Sequence, residues 1–96
     1  MIKILENENF EEVIKEGKWL IDFSAIWCGP CRMIEPILEE LSNKYNILKV
    51  DVDKHSDIAA KNGIMSIPTL IVYENGKQKN ISVGLISKDQ IEDLLK

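Results

Sequence analysis

Two thiols stand two residues apart in Trp27-Cys28-Gly29-Pro30-Cys31, and the chain has no other cysteine. At that spacing a pair can pass between dithiol and disulfide. The apolar run Trp19-Leu20-Ile21-Asp22-Phe23 comes before the motif. The helical pattern Met33-Ile34-x-x-Ile37-Leu38-x-x-Leu41 comes after it. The motif therefore lies between a strand and a helix, with Cys28 at the helix entrance. Free N–H groups and the positive end of the helix dipole both favour a thiolate there, so a lowered pKa is expected for Cys28.

Other uses of two cysteines fit less well. A zinc site needs about four ligands, and the sole histidine, His55, lies in a separate polar segment, Asp53-Lys54-His55-Ser56-Asp57. His55 reads as a loop residue, not a ligand. A structural cross-link gains stability from a long closed loop, and this loop is very short. Gly29 and Pro30 read as an exposed turn into a helix, which disfavours two inert core thiols.

Asp22 is a carboxylate in an otherwise apolar strand. An interior strand of a covered sheet would bury it, and desolvation would raise its pKa. That makes it a candidate proton carrier. A plain structural pair with Lys49, on the next expected strand, is equally open. Lys49 itself reads as that partner or as a solvated edge lysine. Pro68 follows Ile67, and few such bonds are cis; a trans proline opening an edge strand is the alternative. By the habit of tryptophans, Trp19 reads as a core residue, and a core position is open to Trp27 beside the reactive thiol.

The elements around these residues follow from periodicity and caps. Ile2 to Leu5 is a weak edge strand. Asn7 or Asn9 caps a helix through about Glu16, with Phe10, Val13 and Ile14 on one face and Gly17 as its stop. Trp19 to Phe23 is a buried strand. The helix after the motif runs to about Lys44, with a kink expected at Pro36. Ile47 to Asp53 is a second central strand. Ser56 or Asp57 caps a short helix through Asn62, ended by Gly63. Leu70 to Tyr73 and Lys77 to Val83 form a hairpin about Asn75-Gly76. Ser87-x-x-Gln90 is a capping box for a last helix that buries Ile91, Leu94 and Leu95. The order β-α-β-α-β-α-β-β-α implies an α/β fold. Parallel crossovers come first, then a hairpin and a helix, giving a central mixed sheet with helices on both faces.

Ninety-six residues allow one small domain, here residues 1–96. The hydrophobic fraction of 45% and charged fraction of 29% are ordinary for a globular chain. A net charge of −4 argues against nucleic acid or an anionic membrane as partner. No apolar run approaches the ~18 residues of a membrane span. The start of the chain lacks a signal-peptide pattern, so a reducing cytoplasm is the expected setting.

The segment Asp22-Phe23-x-Ala25-x-Trp27-Cys28-Gly29-Pro30-Cys31-Arg32-Met33-Ile34-x-Pro36 resembles the active-site segment of thioredoxins. Ile67-Pro68-Thr69-Leu70 resembles their cis-proline segment. Asn75-Gly76-Lys77 with Val83-Gly84 is similar to their final hairpin, and Lys49-Val50-Asp51-Val52-Asp53 to their third strand. The likeness runs through nearly the whole chain in order.

The resemblance implies a thioredoxin fold and a protein-disulfide reductase. Cys28 would be the attacking thiolate and Cys31 the resolving thiol. Asp22, supported by Lys49, would move the proton of Cys31. Pro68 would be cis. Trp27, Gly29, Pro30, Ile67, Pro68, Val83 and Gly84 would form the docking surface for substrate. The resemblance further implies no bound cofactor, electrons from a thioredoxin reductase, disulfide-containing protein substrates and a monomer. Two other readings stay open: an oxidant or isomerase of an oxidising compartment, and a binding module with incidental thiols. Ser24, Ile26 and Met65 depart from the usual pattern, standing where an aromatic, a polar or charged, and a basic residue are frequent. These departures concern partner choice, not the thiol chemistry.

Overall fold

The computed structural model describes residues 1–96. In chain order it contains β1 (Ile2–Ile4), α1 (Phe10–Val13), β2 (Lys18–Ser24), α2 (Gly29–Leu41), β3 (Asn46–Asp51), α3 (Ser56–Lys61), β4 (Thr69–Glu74), β5 (Lys77–Val83) and α4 (Lys88–Leu95). The strands form one sheet in the order β1-β3-β2-β4-β5. β3 pairs in parallel with β1 and β2. β4 runs antiparallel to both β2 and β5. The mixed sheet is as expected, with β2 at its centre.

β2 is apolar throughout because both its faces are covered. Trp19, Ile21 and Phe23 point to one side, where they pack with Phe10 of α1 and the Ile14 that follows it, with Leu48, Val50 and Ile71, and against Ile58 of α3. Leu20 points to the other side, with Ile34, Leu38 and Leu41 of α2, Ile47, Leu70, Val72, and Ile91 and Leu95 of α4. Two cores result, one on each face. Leu38 is fully buried in the second core. Leu38→Ala should therefore lower stability by about 2–5 kcal/mol, read as a shift in the denaturation midpoint in urea.

Several boundaries differ from the sequence expectation. α1 stops at Val13, with Ile14 as its C-cap, instead of reaching Glu16. Asn9, not Asn7, is its N-cap: its side chain accepts the Glu12 N–H at 3.1 Å. α2 continues through Pro36 but ends at Leu41, with Ser42 as C-cap, short of Lys44. β3 ends at Asp51, not Asp53: beyond it, the Asp51 side chain accepts the Asp53 N–H at 2.8 Å and turns the chain. His55 takes the N-cap position of α3 in place of Ser56 or Asp57, but its ring forms no cap bond. Its Nε2 lies 3.0 Å from the Leu5 carbonyl oxygen instead.

The hairpin and capping box form as read. Asn75 and Gly76 both take positive φ, 53° and 82°, the pair that a tight type I′ turn requires. Asn75 also exchanges two 2.9 Å bonds with Gly17, its N–H donating to the Gly17 carbonyl and its Oδ1 accepting the Gly17 N–H. The Ser87 side chain accepts the Gln90 N–H, and the Gln90 side chain accepts the Ser87 N–H. β5 is the outermost strand on its side of the sheet, and almost all of it is exposed.

Candidate active site

The site lies where β2 runs out of the sheet. After Ser24 the chain makes a short turn and enters α2 with Cys28 as N-cap. Cys28 and Cys31 are joined as a disulfide with Cα atoms 5.2 Å apart. The Cys31 N–H points at the Cys28 Sγ at 3.2 Å. That amide and the helix N-terminus would stabilise negative charge on the sulfur once the bond is reduced. Both cysteines are buried, Cys31 more deeply, at 1% exposure against 5% for Cys28. They pack with Ala25 and against Val52 and Ile67.

Two further loops converge on the disulfide. The Ile67–Pro68 bond is cis, and the Ile67 carbonyl oxygen lies 4.0 Å from the Cys28 Sγ. Ile67 takes part in no backbone hydrogen bond. The Gly84 N–H donates to the Pro68 carbonyl at 2.7 Å, and Val83 pairs with Thr69. The Val83–Gly84 end of the hairpin is thereby held beside Pro68.

Trp27 is not core. It is 67% exposed, and its indole N–H donates to Asp53 at 2.8 Å. Trp19 is core, at 7% exposure. Beside Trp27 a shallow apolar groove of about 190 Å³ is lined by Val52, Ala59, Ile64, Met65 and Ile67 among others. Met65 stands almost fully exposed at its edge.

Asp22 is fully buried, and neither carboxyl oxygen has a hydrogen-bond partner. It follows Leu20 on the α2 side of the sheet, where an apolar residue would otherwise continue the core. Desolvation raises its pKa from 3.8 to about 6. The Lys49 charge opposes that rise, the Glu35 charge adds to it, and Ser24, outside hydrogen-bonding geometry, lowers it slightly. Lys49 is Asp22's neighbour in register on β3. The direct pair, one of the two readings left open, does not form, because the Lys49 ammonium bonds Glu35 at 3.1 Å. Lys49 therefore acts on Asp22 through its field alone.

The sequence reading missed Glu35 and Asp53. A carboxylate one turn beyond Cys31 on α2 was the available signal for Glu35. Nothing in the local sequence points Asp53 at Trp27. No group of three or more His, Cys, Asp or Glu side chains is placed to hold a metal ion. No helix is long and apolar enough to cross a membrane.

A family model described as Thioredoxin matches residues 1–96. The chain belongs to the thioredoxin family. It is 46% identical to a thioredoxin of Staphylococcus haemolyticus, over 99% of this chain and 94% of that protein. It is 44% identical to a thioredoxin of Chlamydia trachomatis, over 99% of this chain and 96% of that one. Among solved structures, a mutant thioredoxin from Halobacterium salinarum superposes with a TM-score of 0.91 at 33% identity, covering 98% of this chain and 87% of that one. The oxidised thioredoxin from Plasmodium falciparum gives 0.86 at 35% identity, covering 99% and 95%. As a thioredoxin-family protein with a redox-active Cys28–Cys31 pair, the chain is a thiol–disulfide oxidoreductase of the protein-disulfide reductase type.

Proposed function

We propose that the chain, as a single domain spanning residues 1–96, is a cytoplasmic, monomeric reductant of protein disulfides that receives its electrons from a thioredoxin reductase. One observation carries the direction of the chemistry. Cys28 is the N-cap sulfur that accepts an amide bond, and it is the less buried of the two cysteines. Its thiolate attacks one sulfur of a substrate disulfide, forming a mixed disulfide and releasing the other substrate sulfur as a thiolate. Cys31 then gives its proton to the Asp22 carboxylate and attacks Cys28. The Cys28–Cys31 bond forms, the bond to substrate breaks, and two electrons have moved to the substrate. Held on one helical turn, the second step is effectively intramolecular. The unpaired Ile67 backbone supports docking of an extended substrate segment across the site. Trp27, Gly29, Pro30, Pro68, Val83 and Gly84 complete that surface.

The reduction potential of the Cys28/Cys31 couple tests this reading. A value of about −270 mV, the one thioredoxin itself displays, is expected from equilibration with dithiothreitol. A value between about −180 and −120 mV would assign the chain to oxidation or isomerisation instead. The electron source has its own test. A thioredoxin reductase with NADPH should reduce the disulfide, and failure with reductases from several bacteria would remove that partner.

A further inference from the structure

Asp22 carries a proton only while no cation is bonded to it. A firm ion pair would hold the carboxylate ionised and make it a poor acceptor for the Cys31 proton. The cation within reach is Lys49, directly opposite in register on β3, and neighbouring strands lie about 4.8 Å apart. Yet both Asp22 oxygens are unpartnered, and the Lys49 Nζ sits 3.1 Å from Glu35 Oε1. Glu35, Lys49 and Ser24 all line a cleft of about 230 Å³. The Lys49 side chain is 23% exposed and that of Glu35 46% exposed, so their pair forms where water still reaches it. Moving the ammonium inward to Asp22 would strip that water away, and Glu35 offers it a partner without that cost.

We propose that Glu35 is a positioning residue for proton transfer from Cys31: by holding the Lys49 ammonium in the cleft, it leaves the Asp22 carboxyl unpaired. This rests on the dithiol mechanism above and adds to it the residue that keeps the proton carrier free. The charged and polar groups that act on Asp22 are few. β3 supplies Lys49, and α2 supplies Glu35. β2 itself supplies the Ser24 hydroxyl. β4 presents apolar Leu70 at the paired position, and the buried residues of α4 are Ile91 and Leu95. Lys49 in its present place already lowers the Asp22 pKa, so an ammonium brought closer would lower it further.

The test is a ¹³C NMR titration of the Asp22 carboxyl in the full oxidised chain, where neither cysteine titrates. It is run on the parent, Glu35→Gln, Lys49→Met and the double variant. With Glu35 neutral, Lys49 turns to Asp22, and the midpoint should fall by about one pH unit. In the Lys49→Met background, the same change at Glu35 should move the midpoint by less than half as much. An unmoved or raised midpoint in Glu35→Gln would overturn the proposal. So would equal shifts in the two backgrounds, which would leave Glu35 only its direct field on Asp22. In the reduced protein, the acid limb of the kcat/KM profile for disulfide reduction should move down with the midpoint, and an unmoved limb would also count against the proposal. The oxidised-state titration needs no turnover. A failed dithiol mechanism would instead show as missing Cys28 adducts, with the titration unchanged.

Discussion

Cys31→Ser should stop turnover halfway and leave substrate covalently bound to Cys28. The variant keeps the N-cap sulfur and the helix entrance that favours its thiolate. Ser at 31 keeps the backbone amide and loses only the thiol. With that thiol gone, the mixed disulfide can be released only by an external thiol. Intramolecular steps of this kind carry effective concentrations of about 10⁵ M or more, so the loss in turnover should be at least about a thousandfold. Adducts with a disulfide-containing protein should persist on non-reducing gels and disappear with dithiothreitol. Cys28→Ser should form no adduct. Adducts that accumulate on Cys28→Ser instead would reverse the roles of the two thiols. A double Cys28→Ser, Cys31→Ser variant that retained every measurable activity would point to a docking module.

The second large effect concerns Asp22. Burial raises its carboxyl from 3.8 to about 6, so between those values the folded chain holds a proton that the unfolded chain has released. The unfolded state binds fewer protons there, and stability falls as pH rises through about 6. Below the unfolded value nothing is lost; above about 6 the whole penalty applies. A gap of that size corresponds to about 3 kcal/mol. Asp22→Asn should therefore gain about 1–3 kcal/mol at pH 8, the range allowing for an unsatisfied amide in its place, and gain little at pH 4. Guanidinium melts at the two pH values would show it. A gain that did not depend on pH would mean that Asp22 is not the buried titrating group. The same variant should slow disulfide reduction near neutral pH about a hundredfold, the low end of what a positioned proton acceptor contributes. A residue that weakens the fold where it works best is kept for chemistry.

What could be read beforehand is what local rules govern. The almost continuous apolar run from Trp19 to Phe23 placed β2 inside the sheet and Asp22 in its interior. Asn75-Gly76 and Ser87-x-x-Gln90 announced a turn and a cap because their bonds span three residues or fewer. The motif itself fixed Cys28 at a helix entrance. The bonds across the chain escaped notice. Trp27 reaches Asp53 over 26 positions and Lys49 reaches Glu35 over 14, and which carboxylate a lysine meets depends on how α2 lies over β3. A core position was open to Trp27 because large aromatics usually take one, but here it stands exposed, its indole bonded to Asp53. The overlong α1 was an error: Phe10 and Ile14 are both buried, but Ile14 is already a cap.

β5, the outer strand described above, is chemically divided along its length. Lys77 and Lys79 occupy the half near the Asn75-Gly76 turn, while Ile81 and Val83, 49% and 60% exposed, occupy the half near Pro68. An open sheet edge invites a further strand, and lysines repel one. A second copy adding its own β5 in parallel register would set Lys77 and Lys79 against their own kind, and an antiparallel one would lay them on Val83 and Ile81. A short extended segment laid only across the apolar half meets no such charge. The molecule's exposed flank is thus guarded against self-association where it is far from the disulfide and left adhesive only beside it.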